Sequence, residues 1–250
     1  MSVVAASVAA RDFREANVAR WRAALAECPL VAILRGLRPE EAREIGLALY
    51  EAGLRVLEVP LNGPGALLAI RALSEAFAGR GVAIGAGTVL HVEDVRRVAE
   101  HGGTLIVSPY VDTDVVRASV AAGLVSVPGV ATPSEAFAAL RAGADALKAF
   151  PGEQLPPKVI KAWRGVLPAG TDLLPVGGIV PGNVAEYLAA GASGFGVGSS
   201  VWQAGDSPAQ CYARASSIVE ALRAARTAAV ANAHRPTATE AGGRAVVPGE

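Results

Sequence analysis

Between residues 51 and 197 the sequence repeats one phrase five times: an amphipathic stretch ends, a glycine follows, and a short apolar run begins. The instances are EAGLRVLEV, EHGGTLIVS, AAGLVSVPG, RAGADALKA and AAGASGFGV. A glycine at that point supplies the left-handed residue that closes a helix, so Gly53, Gly102, Gly123, Gly143 and Gly191 mark helix ends. The runs that follow are short and almost wholly apolar, the pattern of parallel strands covered on both faces. A chain written this way alternates strand and helix.

The expected strands are Leu30–Arg35, Arg55–Pro60, Val82–Ala86, Leu105–Ser108, Leu124–Val127, Ala146–Phe150, Asp172–Val176 and Gly194–Gly198. Helices are expected near 39–52, 65–78, 92–101, 112–122, 133–142, 156–166, 181–190 and 207–226. Pro39 before Glu40 and Glu41 signals one helix start, and Thr132, Pro133, Ser134 and Glu135 signal another. Eight βα units in about 200 residues specify an α/β fold of the (β/α)8 TIM-barrel type rather than an open doubly wound sheet.

Residues 11–27 read as an extra N-terminal helix closing the barrel floor, which makes 11–226 a single domain. Residues 1–10 and the C-terminal tail 227–250 carry no apolar period and are expected to be disordered. Val3–Ala10 is apolar, but it lacks a basic start and runs into Arg11, Asp12 and Arg14, unlike a signal peptide.

Composition narrows the partners. Twenty-three basic residues balance 23 acidic ones, and no run of Lys or Arg offers a track for nucleic acid or an anionic membrane. No apolar run is long enough to span a bilayer. Cys28 and Cys211 lie far apart without metal spacing and read as reduced thiols of a cytoplasmic protein.

In a barrel the reactive groups sit where strands end and βα loops begin. Those ends supply Arg35, Glu58 with Asn62, Thr88, Lys148, Gly177–Gly178 and Gly198–Ser199. Lys148 lies inside the apolar run ADALKAFP, where burial lowers an amine's pKa and leaves it free to attack a ketone. Glu58, in VLEVPLN, is a second ionisable group inside an apolar strand. It reads as a structural partner for Lys148 or Arg35 and, without excluding that, as the proton shuttle that an enamine intermediate needs. An amine and an acid together suffice for a metal-free aldol reaction.

The turns VGGIVPGN and GVGSSVW follow the last two strands, where barrel phosphate sites recur and paired glycines let backbone N–H groups approach an anion. Arg35 and Thr88 are candidates for holding a carboxylate, although Arg35 can equally neutralise Glu58 or reach the phosphate. His91, His101 and His234 do not converge, no metal-binding spacing appears, and no cofactor is implied. His91 is expected to cap the helix that follows it.

At these residues the chain resembles the bacterial lysine-dependent 2-keto-3-deoxy-6-phospho-sugar-acid aldolases. The stretches that carry the likeness are VAILRGLRPEEA, VLEVPLNGP, IGAGTVL, LIVSPYV, PGVATPSEAFAALRAGADALKAFP and PVGGIVPGN, and it runs from about Pro29 to Arg223. The resemblance implies a Schiff base on Lys148, an acid–base role for Glu58 and substrate contacts from Arg35 and Thr88. It further implies phosphate held around Gly177, Gly178, Gly198 and Ser199. The partners are then a phosphorylated 2-keto-3-deoxy sugar acid and pyruvate, and the assembly a homotrimer. Asn62 stands where gluconate-type relatives usually carry Arg, and Val176 where they carry Thr, which points to the galactonate branch. The alternatives are the C4-epimeric gluconate-derived substrate, or a barrel that acts on or binds a sugar phosphate without aldol chemistry.

Overall fold

The computed structural model describes residues 3–233. Nine α-helices, a short 3-10 helix at Gly152–Gln154 and nine strands succeed one another along these residues, and every strand pair is parallel. The strands are β1 (Leu30–Ile33), β2 (Val56–Pro60), β3 (Ala83–Gly87), β4 (Leu105–Val107), β5 (Val125–Val127), β6 (Gly129–Val130), β7 (Leu147–Ala149), β8 (Leu173–Pro175) and β9 (Phe195–Val197). The helices are α1 (Val3–Glu27), α2 (Ala42–Glu51), α3 (Ala66–Ala76), α4 (Val92–Glu100), α5 (Thr113–Ala121), α6 (Pro133–Ala142), α7 (Pro157–Arg164), α8 (Val184–Ala189) and α9 (Pro208–Ala233).

Six strands form one sheet in the order β5-β4-β3-β2-β1-β9, and β6-β7-β8 form a second. The two sheets are one barrel. Pro128 has no N–H to give the ladder, so it divides the fifth barrel strand into β5 and β6. Its carbonyl still accepts from the Lys148 N–H at 2.9 Å. On the other side, a bridge between Val176 and Gly196 joins β8 to β9. The architecture is the expected (β/α)8 barrel, with eight strand positions built from nine segments.

The five helix-closing glycines all have positive φ, from 76° at Gly123 to 110° at Gly53. At α6 the expected start is a full capping box: Thr132 accepts from the Glu135 N–H, Glu135 bonds back to the Thr132 N–H, and Pro133 opens the helix. His91 occupies the N-cap position of α4 but makes no side-chain capping bond, so the expectation for it is corrected. Its imidazole nitrogens offer a poorer reach to the first-turn N–H groups than Ser, Thr, Asp or Asn.

The core has two parts. A large outer layer packs helices on strands, whereas a smaller inner cluster fills the lumen with Val31, Val56, Leu105, Val125 and Leu174. Helix α1 closes the lumen from below: Trp21, Ala24 and Leu25 are buried within that inner cluster. Arg14 fixes the helix by a 2.7 Å bond to the Leu124 carbonyl and a 2.9 Å ion pair with Asp145. Asn17, itself buried, bonds the Gly123 carbonyl at 2.9 Å. The extra N-terminal helix is thus a floor.

Helix α1 starts at Val3 rather than at residue 11, and α9 continues to Ala233 rather than ending at 226. Both additions are alanine-rich, and alanine is the strongest helix former. The rest of the expected disordered termini, residues 1–2 and 234–250, lies outside the described residues.

Candidate active site

Alternation along the strands decides which side chains enter the lumen. On β2, Val56 and Glu58 point inward, Val56 into the inner core; Glu58 and, from β7, Lys148 reach a cavity shared with Ile33, Val107, Val127 and Val176. Glu58 is 1% exposed and Lys148 8%, so both ionisable groups sit among apolar walls. Burial pushes the Glu58 carboxyl up to about 7, with the charges of Lys148 and Arg35 pulling it back. Burial likewise draws the Lys148 amine below its ordinary value; Glu58 opposes that change, and Arg35 adds to it. A carboxyl near neutrality and a weakened amine are an acid–base pair fit for work at ordinary pH.

Their immediate surroundings are built for them. Lys148 Nζ lies 4.6 Å from the centre of the Phe150 ring, which stabilises the protonated amine or iminium without a competing anion. Gly87, on the neighbouring strand, leaves the space that the Glu58 carboxylate occupies. The Glu58 backbone carbonyl accepts from the Leu34 N–H at 2.9 Å, so the acid rides on the β1–β2 ladder.

Above the lumen a mouth of about 700 Å³ opens, a size typical of small-molecule sites. It brings together Arg35, Val176, Gly177, Gly178, Gly198 and Ser199, each at or just after a strand end. Ile33, Val176 and Gly196 belong to both mouth and lumen, so the mouth leads down to the amine. The two glycine turns face each other across it. Gly177 and Gly178 have φ of 111° and 65°, a left-handed pair that other residues adopt only with strain. Asn183 clamps the loop, donating to the Gly178 carbonyl at 2.8 Å and accepting from the Val180 N–H at 3.0 Å. Ser200 ties the opposite turn to it by bonding the Ile179 carbonyl.

Two of the residues expected at the site face a neighbouring space. Asn62 and Thr88 line a cleft of about 510 Å³ beside the mouth, with His91, Asp94 and Arg97. Asn62 nonetheless connects to the mouth, because its Oδ1 accepts from Arg35 at 3.2 Å. Thr88 has φ 54°, rare for a residue branched at Cβ and a conformation that clusters at functional sites.

Sequence reasoning passed over several residues that the fold brings in. Phe150 and Trp202 line the mouth, and the Trp202 indole bonds the Arg35 carbonyl at 3.1 Å. Glu153 stands against Gly177 and Gly178 at the rim. Phe150 had a visible signal, since it lies two residues after Lys148 and hence on the same side of the strand. Trp202 sits on a loop and Glu153 on the short 3-10 helix Gly152–Gln154, whose courses no periodicity reveals. Among the described residues, no group of three or more His, Cys, Asp or Glu is placed to hold a metal ion.

A buried amine and a buried carboxyl beneath the mouth of a barrel are the equipment of a carbon–carbon lyase. Comparison with known proteins agrees: the KDPG and KHG aldolase model matches residues 22–216, and the chain belongs to that family of aldolases. It is 45% identical over 198 residues to the probable 2-dehydro-3-deoxy-6-phosphogalactonate aldolase of Rhizobium meliloti, covering 79% of this chain and 93% of that one. It is 42% identical over 206 residues to the 2-dehydro-3-deoxy-6-phosphogalactonate aldolase of Escherichia coli, covering 82% and 98%. A solved structure described as native KDPGal superposes with a TM-score of 0.78 at 42% identity, covering 80% of this chain and 97% of that chain.

Proposed function

We propose that this aldolase cleaves 2-dehydro-3-deoxy-6-phosphogalactonate to pyruvate and glyceraldehyde 3-phosphate through a Schiff base on Lys148. The observation that carries the reading is the amine and the carboxyl sharing one apolar lumen directly below a mouth lined by two glycine turns.

Neutral Lys148 attacks the C2 ketone, and the carbinolamine loses water to give an iminium. Glu58, as carboxylate, takes the C4 hydroxyl proton directly or through water. The C3–C4 bond breaks, its electron pair enters the iminium, and glyceraldehyde 3-phosphate leaves an enamine of pyruvate behind. Protonation at C3 and hydrolysis release pyruvate and restore the lysine. The iminium is the electron sink, so no cofactor is required. Backbone N–H groups of the Gly177–Gly178 and Gly198–Ser199 turns hold the phosphate. Arg35, with Asn62 as its partner and Thr88 beside it, takes the polar groups of the sugar acid.

Val176 and Asn62 favour the galactonate-derived epimer over the gluconate-derived one, as do the names of the relatives at 45% and 42% identity. On the family resemblance, the chain acts as a homotrimer in the cytoplasm. The test is pyruvate release, followed by coupling to lactate dehydrogenase, from each pure C4 epimer. Pyruvate from the galactonate-derived compound at the higher kcat/KM is the expected result, and no pyruvate from either refutes the reaction.

A further inference from the structure

Two buried side-chain polar atoms among the described residues have no hydrogen-bond partner: Glu58 Oε2 and Trp21 Nε1. They belong to distant parts of the sequence, one on β2 and one on the floor helix α1. Both residues nevertheless line the same lumen cavity, together with Lys148. Buried donors and acceptors are paired as a rule, so two orphans in one cavity call for a common explanation. One is an obligate acceptor when ionised, and the other is an obligate donor. The cavity measures about 10 Å³, the space of a single water.

We propose that Trp21 is a positioning residue for Glu58: its indole N–H holds one water inside the barrel, and that water donates to the carboxylate. The water has a second hydrogen to direct at the neutral Lys148 amine, so three groups would converge on it, the number that buried waters typically satisfy. The floor helix then does more than seal the lumen. It supplies a fixed donor that favours the ionised acid, in a place where the walls other than Lys148 are apolar. The charged groups acting on Glu58 are Lys148 and Arg35. The strands packed around Trp21 present Val31, Val56, Leu105, Val125 and Leu174, none of which titrates.

The inference rests on the acid–base role proposed for Glu58, and its test separates the two. The 15N indole resonances of Trp21, Trp163 and Trp202 are followed against pH, with Trp21 assigned by elimination through Trp163→Phe and Trp202→Phe. The Trp21 signal is expected to titrate with the Glu58–Lys148 pair and to lose the Glu58 step in Glu58→Gln. This arm needs no activity, so it decides the proposal even if the chain proves not to cleave the sugar acid. In the kinetic arm, Trp21→Phe removes the donor but keeps an aromatic ring. Weaker support for the carboxylate raises its pKa further, so the acid limb of kcat/KM moves to higher pH by about half a unit or more. Leu25→Ala, which loosens the same helix without touching a donor, leaves the limb in place. A Trp21 resonance blind to pH, or titrating unchanged in Glu58→Gln, overturns the proposal. So does an acid limb unmoved in Trp21→Phe, or moved equally in Leu25→Ala.

Discussion

Gly87 and the Glu58 carboxylate occupy adjoining space so tightly that a Cβ on Gly87 would stand 1.9 Å from Oε2 and 2.5 Å from Oε1. The strands are in parallel register, with Glu58 opposite Gly85 and Pro60 opposite Gly87, so neither backbone can retreat without breaking the β2–β3 ladder. Gly87→Ala must therefore expel the carboxylate from its position. Its rate is expected to approach that of a variant lacking the acid, a loss of about 10²-fold or more. Crowding should also lower stability by about 1–3 kcal/mol. Steady-state kinetics with a denaturant melt checks both, and activity within a few-fold of the parent would mean that the acid tolerates displacement.

Lys148 should become covalently modified when the protein is treated with pyruvate and borohydride. Mass spectrometry of the digest is expected to find one reduced pyruvate adduct, on the peptide containing Lys148. An adduct on Lys158 or Lys161, or none at all, sinks the Schiff-base mechanism.

Glu58→Gln keeps the shape of the side chain but cannot exchange its proton. Trapping by borohydride should persist while turnover falls by about 10²–10⁴-fold. Turnover within a few-fold of the parent would reduce Glu58 to a structural partner of Lys148.

Stability carries the same signature. Because the folded pKa of Glu58 is raised to about 7, the native state keeps a proton that the unfolded state gives up near pH 4. Through that window the native state binds more protons, so this group's contribution to stability falls as pH rises. The lowered pKa of Lys148 works the other way, adding stability as pH climbs toward the unfolded amine's ordinary range. Urea unfolding at about pH 5 and about pH 8 should show Glu58→Gln gaining on the parent at the higher pH, on the order of 2 kcal/mol. A parent and variant that keep a constant difference would contradict a raised carboxyl pKa.

Val176 borders both mouth and lumen, where the substrate's C4 hydroxyl would pass. A hydroxyl directed at a valine loses its hydrogen-bond partner, at a cost of about 1–3 kcal/mol. Val176→Thr is expected to move the ratio of kcat/KM toward the gluconate-derived epimer by roughly ten-fold or more. An unmoved ratio would place discrimination elsewhere, with Asn62 the next position to change.

The barrel was legible because its information is local. A glycine that must adopt positive φ, such as Gly143 at 101°, announces a helix end whatever surrounds it. Strand ends then pointed to Arg35, Glu58 and Lys148, since an ionisable residue in an apolar run stands out. What stayed hidden depends on which way neighbouring loops fold. Thr88 and Asn62 are at the correct strand ends, yet their side chains border the adjacent cleft, because the β2–α3 and β3–α4 loops lean together. Pro128 was visible as a residue but not as a break, since only pairing shows that β5 and β6 serve different sheets. Trp21 lay unremarked within the expected helix over residues 11–27. Its unsatisfied nitrogen emerges only when the barrel strands are arranged above it.

The floor laid by α1 also dictates traffic. With Trp21 and Leu25 buried at the lower end, the mouth is, among the described residues, the opening that shares walls with the lumen. On the proposed chemistry, the triose phosphate lies between the enamine and that doorway after the C3–C4 bond breaks. The bulk water needed to free pyruvate from the lysine cannot pass until it departs. That chemistry would order release, aldehyde first and pyruvate second, and would let pyruvate alone re-enter to occupy the lysine.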